Sequence, residues 1–321
     1  MRPFARPSLF GPVIALVLAV LTSLQPANAE NTPPNVVVTI RPLHSIAAAV
    51  MRDVGEPILL MKQGSSPHGA ALLPSQRRTV QDADMVVWIG PALESAMKKS
   101  FSQIAGKTSL ISAMEAPGLK LYDYRHPETG EEHSKDGDDE HAHEHKHEHE
   151  GSDPHIWLSP ENAGHIARQL AVALAKRDPK NAAQYKENAR QFGDKTADLS
   201  AKLLKALRPV AGRPFLTLHD GFQYFQRRFG LVSKGTVFID PERPVSAKHV
   251  QRLINKIESN GIKCLLTEPQ YSNRIVDVLS AKPDFKVKQV DPIGSDIAPG
   301  PDLYFTMMEK MAEATSGCLQ R

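Results

Sequence analysis

The chain has 321 residues, with 39 Lys and Arg against 36 Asp and Glu and a formal charge of +3. A balance this even, with no basic stripe, argues against nucleic acid and against an anionic membrane surface as partners. The length is more than one typical domain and enough for two.

Residues 1–29 read as a secretory signal peptide rather than as fold. "MRPFAR" supplies a positive start, "SLFGPVIALVLAVLTSL" an apolar stretch and "ANA" a small-x-small cleavage site between Ala29 and Glu30. The apolar stretch is short for a membrane span and is interrupted by Gly11, Pro12 and Thr22. No cysteine lies near the cleavage point, so an N-terminal lipid anchor has no attachment site there. The expected mature protein is soluble in an exported compartment, and its charge falls to +1 without Arg2 and Arg6.

From residue 36 onward apolar runs alternate with amphipathic stretches. "VVVTI" (36–40), "PILLM" (57–61) and "DMVVWIG" (84–90) read as strands, each followed by a helical pattern in "HSIAAAVMRDV", "PSQRRTVQDA" and "PALESAMKKSFSQI". The pattern stops near Pro127. Residues 127–152 are Glu, Asp, His, Lys and Gly with almost nothing apolar, which predicts a disordered insertion.

Ser159 is a candidate N-cap with Pro160 in the first turn of the next helix, and Pro179 ends that helix. Residues 181–207 then predict a helix about 40 Å long, a stiff strut rather than a flexible linker. A second series follows: "FLTLH", "GFQYFQRRFG", "TVFI", "AKHVQRLINKIESNG", "KCLLTE", "SNRIVDVLSA", "KVKQVD" and a terminal helix to Cys318. The expected fold is therefore α/β, with two domains, each a mostly parallel sheet flanked by helices. Their expected bounds are 30–178 and 210–321, joined by one long rigid helix at 179–209. Cys264 and Cys318 are spaced wrongly for a CxxC pair or a zinc knuckle, and in an exported protein they read as a structural disulfide.

Three histidines occupy comparable positions. His68 follows the strand at 57–61, His155 precedes a helix start, and His219 ends the strand "FLTLH". Ligands in open α/β sheets gather beyond the carboxyl ends of strands, so a cleft between the domains could collect all three. Neutral imidazoles ligate Zn(II), and three leave a fourth position for water or a carboxylate. Asp291, after "KVKQV", is a candidate for that position. His44 lies at a strand-to-helix turn and reads as a local cap or supporting group. His165 and His249 lie on helical patterns and read as solvated.

The crowded run in "HAHEHKHEHE" is different. His141, His143, His145, His147 and His149 would share one face of an extended chain at about 6.6 Å spacing and would scatter around a helix. Neither form fixes a tetrahedron. The run, with His133, reads as an accessory metal collector or sensor, and His126 extends the flexible segment. His143, Glu144 and His147 also spell H-E-x-x-H, but that motif needs a stable helix, which alternating His and Glu beside Gly151 does not offer.

"GSSPHGAALLPS", "ADMVVWIGPALE", "DPHIWLSPENA", "LHDGFQYFQRRFGL", "TEPQYS" and "DPIG", with an acidic His-rich insertion just before "DPHIW", resemble the ZnuA-type zinc-binding proteins of bacterial ABC importers, among the cluster 9 solute-binding proteins. The resemblance covers nearly all of the expected mature chain. It implies that His68, His155 and His219 coordinate Zn(II) as the transported ligand in the periplasm, with no bond broken. It also implies an inner-membrane ABC permease with its cytoplasmic ATPase as partner, other periplasmic zinc chaperones as further partners, and a monomer. Manganese-binding relatives usually carry Glu at the position of His219. Some zinc members place Glu where this chain has Pro67, and manganese members use the aspartate matching Asp291, so the fourth ligand stays open between Asp291 and water. Relatives from Gram-negative bacteria form the disulfide that matches Cys264 and Cys318. The alternatives are a manganese-delivering homologue, a periplasmic zinc buffer without a permease, and a zinc hydrolase with Glu268 as its base, although Glu268 reads more readily as a supporting or structural carboxylate.

Overall fold

The structure, a computed structural model, describes residues 32–104, 106–125, 151–238, 245–271, 274–281 and 284–320. The signal-peptide segment and His126, His133, His141, His143, His145, His147 and His149 lie outside the described residues.

The first half builds one parallel sheet from β1 (Val36–Val38), β2 (Ile58–Leu59), β3 (Met85–Trp88) and β4 (Ser109–Ser112), in the order β2-β1-β3-β4. Helices α1 (Arg41–Val50), α2 (Pro74–Gln81) and α3 (Lys98–Ile104) connect the strands. The second half repeats the order with β5 (Pro214–Thr217), β6 (Val232–Thr236), β7 (Cys264–Thr267) and β8 (Lys286–Gln289), as β6-β5-β7-β8, all parallel. Its helices are α6 (Gln223–Phe229), α7 (Ala247–Ser259) and α8 (Arg274–Leu279), and α9 (Leu303–Leu319) follows the last strand. Between the sheets run α4 (Pro160–Arg177) and α5 (Ala182–Leu207). Among the described residues no helix is long and apolar enough to cross a membrane.

The central strands explain the continuous apolar runs. Every residue of β1, β3 and β7 is buried, as strands covered on both faces require. In β5, Phe215 turns into a large core shared with the first half, and Leu216 turns the other way. Leu216, Leu218 and Leu265 form a smaller core with Leu253 and Ile257 of α7 and Val276 and Leu279 of α8. The period of two along a strand therefore sorts one sheet into two cores.

Ser159 caps α4 as expected, its hydroxyl accepting from the Asn162 N–H, with Pro160 in the first turn. The 26-residue α5 spans about 39 Å and buries Tyr185, Ala189, Phe192, Leu199, Leu203 and Leu207 along one side. Asn188 of α5 donates to the carbonyls of Val50 and Arg52, which satisfies the end of α1. Helix α5 touches α1 and α4 of the first half and α6 and α9 of the second. The shared core continues into Tyr304, Met307, Met308 and Met311 of α9, so the apolar core crosses from one sheet to the other.

Two elements differ from the sequence reading. The strand expected at "TVFI" is centred earlier, at Val232–Thr236, an edge strand with one buried residue. Its ladder continues irregularly, because Val237 and Phe238 donate to the carbonyls of Thr217 and Leu218. Strand β4, "SLIS", is also an edge strand and carries no long apolar run to announce it. The disulfide between Cys264 and Cys318 is present, with Cα atoms 5.6 Å apart, and ties α9 to the start of β7.

Candidate metal centre

The strand order of the second sheet reverses between β5 and β7, and a crevice opens beyond their carboxyl ends. His219 stands two residues past β5, and Glu268 directly follows β7. His155 arrives from the other side, at the short turn that leads into α4, and His68 comes from the loop after β2.

The three rings converge. Nε2 of His155 lies 3.2 Å from Nε2 of His68 and 3.4 Å from Nε2 of His219. One ligand atom from each of the three lies within 4.8 Å of the others. Ligands about 2.05 Å from one ion at tetrahedral angles stand about 3.3 Å apart, so two of the three spacings match a zinc centre.

The far side of two rings is fixed by carboxylates. Nδ1 of His155 donates to Oδ1 of Asp153 at 2.7 Å, and Nδ1 of His219 donates to Oε1 of Glu268 at 2.7 Å. An ionised carboxylate only accepts, so each Nδ1 carries the hydrogen and each Nε2 presents a lone pair to the centre. Bare lone pairs at these spacings repel unless a cation lies between them. Both carboxylates are buried, Asp153 to 1% and Glu268 to 1% relative exposure, so neither is neutralised by bulk water.

Asp153 is held by several donors. Its Oδ1 also accepts from the His155 N–H, and its Oδ2 accepts from Nε2 of Gln223. Tyr224 OH donates to its carbonyl, and its own N–H donates to the Tyr122 carbonyl. Burial alone would push its carboxyl up, but His155 and Gln223 hold it below the usual range. His219 shows the balance from the other side. Burial lowers its affinity for a proton, Glu268 and nearby carboxylates raise it, and the net direction is upward. For His68, burial and the other two imidazoles push the same way, well below the ordinary value.

The remaining walls are apolar or aromatic in part. Trp157, Tyr271, Pro292 and Ile293 line the cavity with the three histidines. Gly221 closes one side so tightly that a Cβ there would lie 2.3 Å from His219 Nε2 and 3.1 Å from His155 Nε2. The halves are joined around the crevice by hydrogen bonds. Trp157 Nε1 donates to the Pro292 carbonyl, Tyr304 OH to the Trp157 carbonyl and Arg41 Nε to the Gly294 carbonyl.

Asp291 is placed differently from the trio. Its Oδ1 accepts from Gln270 Nε2 and the Ile293 N–H, and its Oδ2 accepts from the Ser295 N–H. The carboxylate thus caps the turn after β8, and it is not among the side chains gathered at the centre. His44 is buried with Nε2 against the Pro57 carbonyl, which is a local tie. His165 is half-buried with Nδ1 on the Pro117 carbonyl. His249, expected in solvent, is buried with Nε2 near the Thr236 carbonyl, because its side of α7 packs on the second sheet. Sequence reasoning did not single out Asp153, Gln223 or Gln270. For Asp153 the available signal was an acid two residues before a candidate ligand.

The chain is similar to known proteins in sequence and in fold. The family model ZnuA, described as zinc-uptake complex component A, periplasmic, matches residues 36–318. The high-affinity zinc uptake system protein ZnuA of Brucella suis biovar 1 (strain 1330) is 33% identical over 306 residues, covering 89% of this chain and 92% of that protein. The protein of the same description from Paracoccus denitrificans (strain Pd 1222) is 30% identical over 323 residues, covering 95% and 97%. A crystal structure of ZnuA superposes with a TM-score of 0.75 at 24% identity, over 90% of this chain and all of that one, and supports the fold. With its sequence matched from the first strand to the last helix, the chain belongs to the ZnuA family.

Proposed function

We propose that this protein captures Zn(II) in the periplasm and delivers it to an inner-membrane ABC permease, with the ion as cargo. The observation that carries the reading is the convergence of Nε2 atoms of His68, His155 and His219, two of them with Nδ1 anchored on buried carboxylates. The names of the relatives point the same way. Three imidazoles make a nitrogen-rich set that suits zinc better than manganese, and the carboxylate of Asp291 is occupied elsewhere. The fourth position then falls to solvent.

The same geometry argues against hydrolysis. Glu268, the candidate base, is engaged with Nδ1 of His219, where it orients a ligand rather than a water nucleophile. Binding and release are the whole activity in this reading. The protein acts as a monomer after removal of residues 1–29, with the second domain beginning near residue 210. The hydrogen bonds across the crevice and the shared core favour small motions, so docking on the permease would trigger release.

The test is zinc stoichiometry and affinity by chelator competition, on the mature chain and on a variant lacking residues 133–149. One tight site should survive the deletion, and only weaker sites should vanish. Loss of the tight site with the run would make the protein a metal buffer and overturn the reading.

A further inference from the structure

Beside the three histidines the crevice holds one acceptor with nothing to accept. Gln270, two residues after Glu268, lines the same cavity as His68, His155 and His219. Its Nε2 donates to Asp291 Oδ1 at 2.8 Å and to Ser295 Oγ at 3.1 Å. Those two acceptors fix which way the amide faces. Its Oε1 is left buried with no hydrogen-bond partner among the described residues. A buried acceptor in that state costs about 1–3 kcal/mol, so such positions usually have a donor supplied from elsewhere.

We propose that Gln270 is a positioning residue whose Oε1 accepts a hydrogen bond from a water molecule bound at the fourth position of the zinc ion, with Asp291 acting through Gln270 rather than as a ligand. This rests on the zinc-binding reading above and adds what completes the ion's coordination. The chemistry selects water over its competitors. A metal-bound water is a strong donor, because the ion withdraws charge from its oxygen. A small anion in the same place has no hydrogen to give and would turn its lone pairs against Oε1. The cavity is also small, which limits any fourth ligand on the ion to about the size of a water molecule. Asp291 accepts from Gln270 and from two backbone N–H groups, so it fixes which end of the amide is Nε2 and leaves Oε1 as the unpartnered end. Gln270 therefore keeps the fourth position for water and makes the ion easy to release, since no fourth side chain must be withdrawn.

Cobalt(II) is the probe, because its visible bands report coordination and it accepts thiocyanate. Wild-type protein with one equivalent of Co(II) should show four-coordinate bands and proton couplings that vanish in D2O, from bound solvent. Thiocyanate should bind weakly. Gln270→Leu removes the acceptor and should bind thiocyanate at least about tenfold more tightly, as expected for loss of one hydrogen bond to a charged centre. Gln270→Glu keeps an acceptor and should resist thiocyanate at least as well as wild type, a rescue that a purely structural role would not produce. Asp291→Asn should keep the cobalt bands. The proposal is overturned if wild type shows no exchangeable solvent on the metal, if Gln270→Leu and wild type bind thiocyanate equally, or if Asp291→Asn changes the bands as loss of a ligand would. A wild-type protein that takes up no Co(II) or Zn(II) would instead overturn the binding reading itself.

Discussion

Nδ1 of His219 lies 2.7 Å from Oε1 of Glu268, a carboxylate buried directly after the neighbouring strand. That contact turns one imidazole into an oriented, electron-rich ligand. It also stores negative charge where a cation would arrive. Asp153 does the same for His155.

Glu268→Gln should weaken zinc binding by about 10–100-fold while the fold persists, because an amide can accept the hydrogen bond but supplies no charge. Asp153→Asn should fall in the same range. Chelator competition measures both, and affinities within about twofold of wild type would remove the carboxylates from the account.

Acid should release the ion. The ordinary histidine value is about 6.5, His219 sits above it and His68 well below. Below its raised value His219 holds a proton that zinc must displace, while His68 is already neutral. Affinity should therefore fall from above pH 6.5 downward, with at least one proton taken up per zinc released. Protonated His219 also stabilises the metal-free fold fully below about pH 6.5, and that contribution fades as pH rises through its folded value. The gap in melting temperature between loaded and metal-free protein should widen with pH. A flat affinity profile between about pH 5 and 8 would contradict this.

A second titration belongs to the first sheet. Glu94 is fully buried beyond β3, where Thr39 Oγ1 and the N–H groups of Ile89 and Gly90 donate to it. Burial outweighs these donors and raises its carboxyl from 4.5 to about 7. A raised value stabilises the fold fully below about pH 4.5, and that stability is lost as pH approaches about 7, on the order of 3 kcal/mol in total. Glu94→Gln should flatten the dependence of melting temperature on pH across this window. An unchanged slope would show that Glu94 is ionised throughout.

Breaking the bridge between Cys264 and Cys318 opens a loop of 54 residues and should cost up to about 4 kcal/mol. The double Cys→Ser variant should melt lower and still bind one zinc, because the bridge lies at the amino end of β7 and the histidines beyond its carboxyl end. Loss of zinc binding in a folded variant would tie the bridge to the site.

Much of the fold was legible because its central strands are buried on both faces and advertise themselves as apolar runs, as "MVVW" and "CLLT" do. Of the four edge strands, "PILLM" and "KVKQVD" were legible, while "SLIS" and "VSKGT" hid or shifted, being partly exposed and short of apolar residues. At the site, placement beside strand ends and a helix start brought out His68, His155 and His219 together, and resemblance assigned them as ligands. Glu268 stood out in the sequence as a supporting carboxylate or a base, whereas Asp153 and Gln270 were not legible, because their roles depend on contacts made only in the folded site. The Gln270–Asp291 contact joins residues 21 apart in sequence, and no spacing rule announces it.

X-ray absorption at the zinc edge reads whether the three imidazoles of His68, His155 and His219 hold one zinc ion. The sample is zinc-loaded protein lacking residues 133–149, compared with the same protein carrying His155→Ala. Three imidazole nitrogens and one oxygen at about 2.0–2.1 Å are expected, with loss of the site in the variant. Fewer than three imidazoles, or an unchanged spectrum without His155, would contradict that coordination.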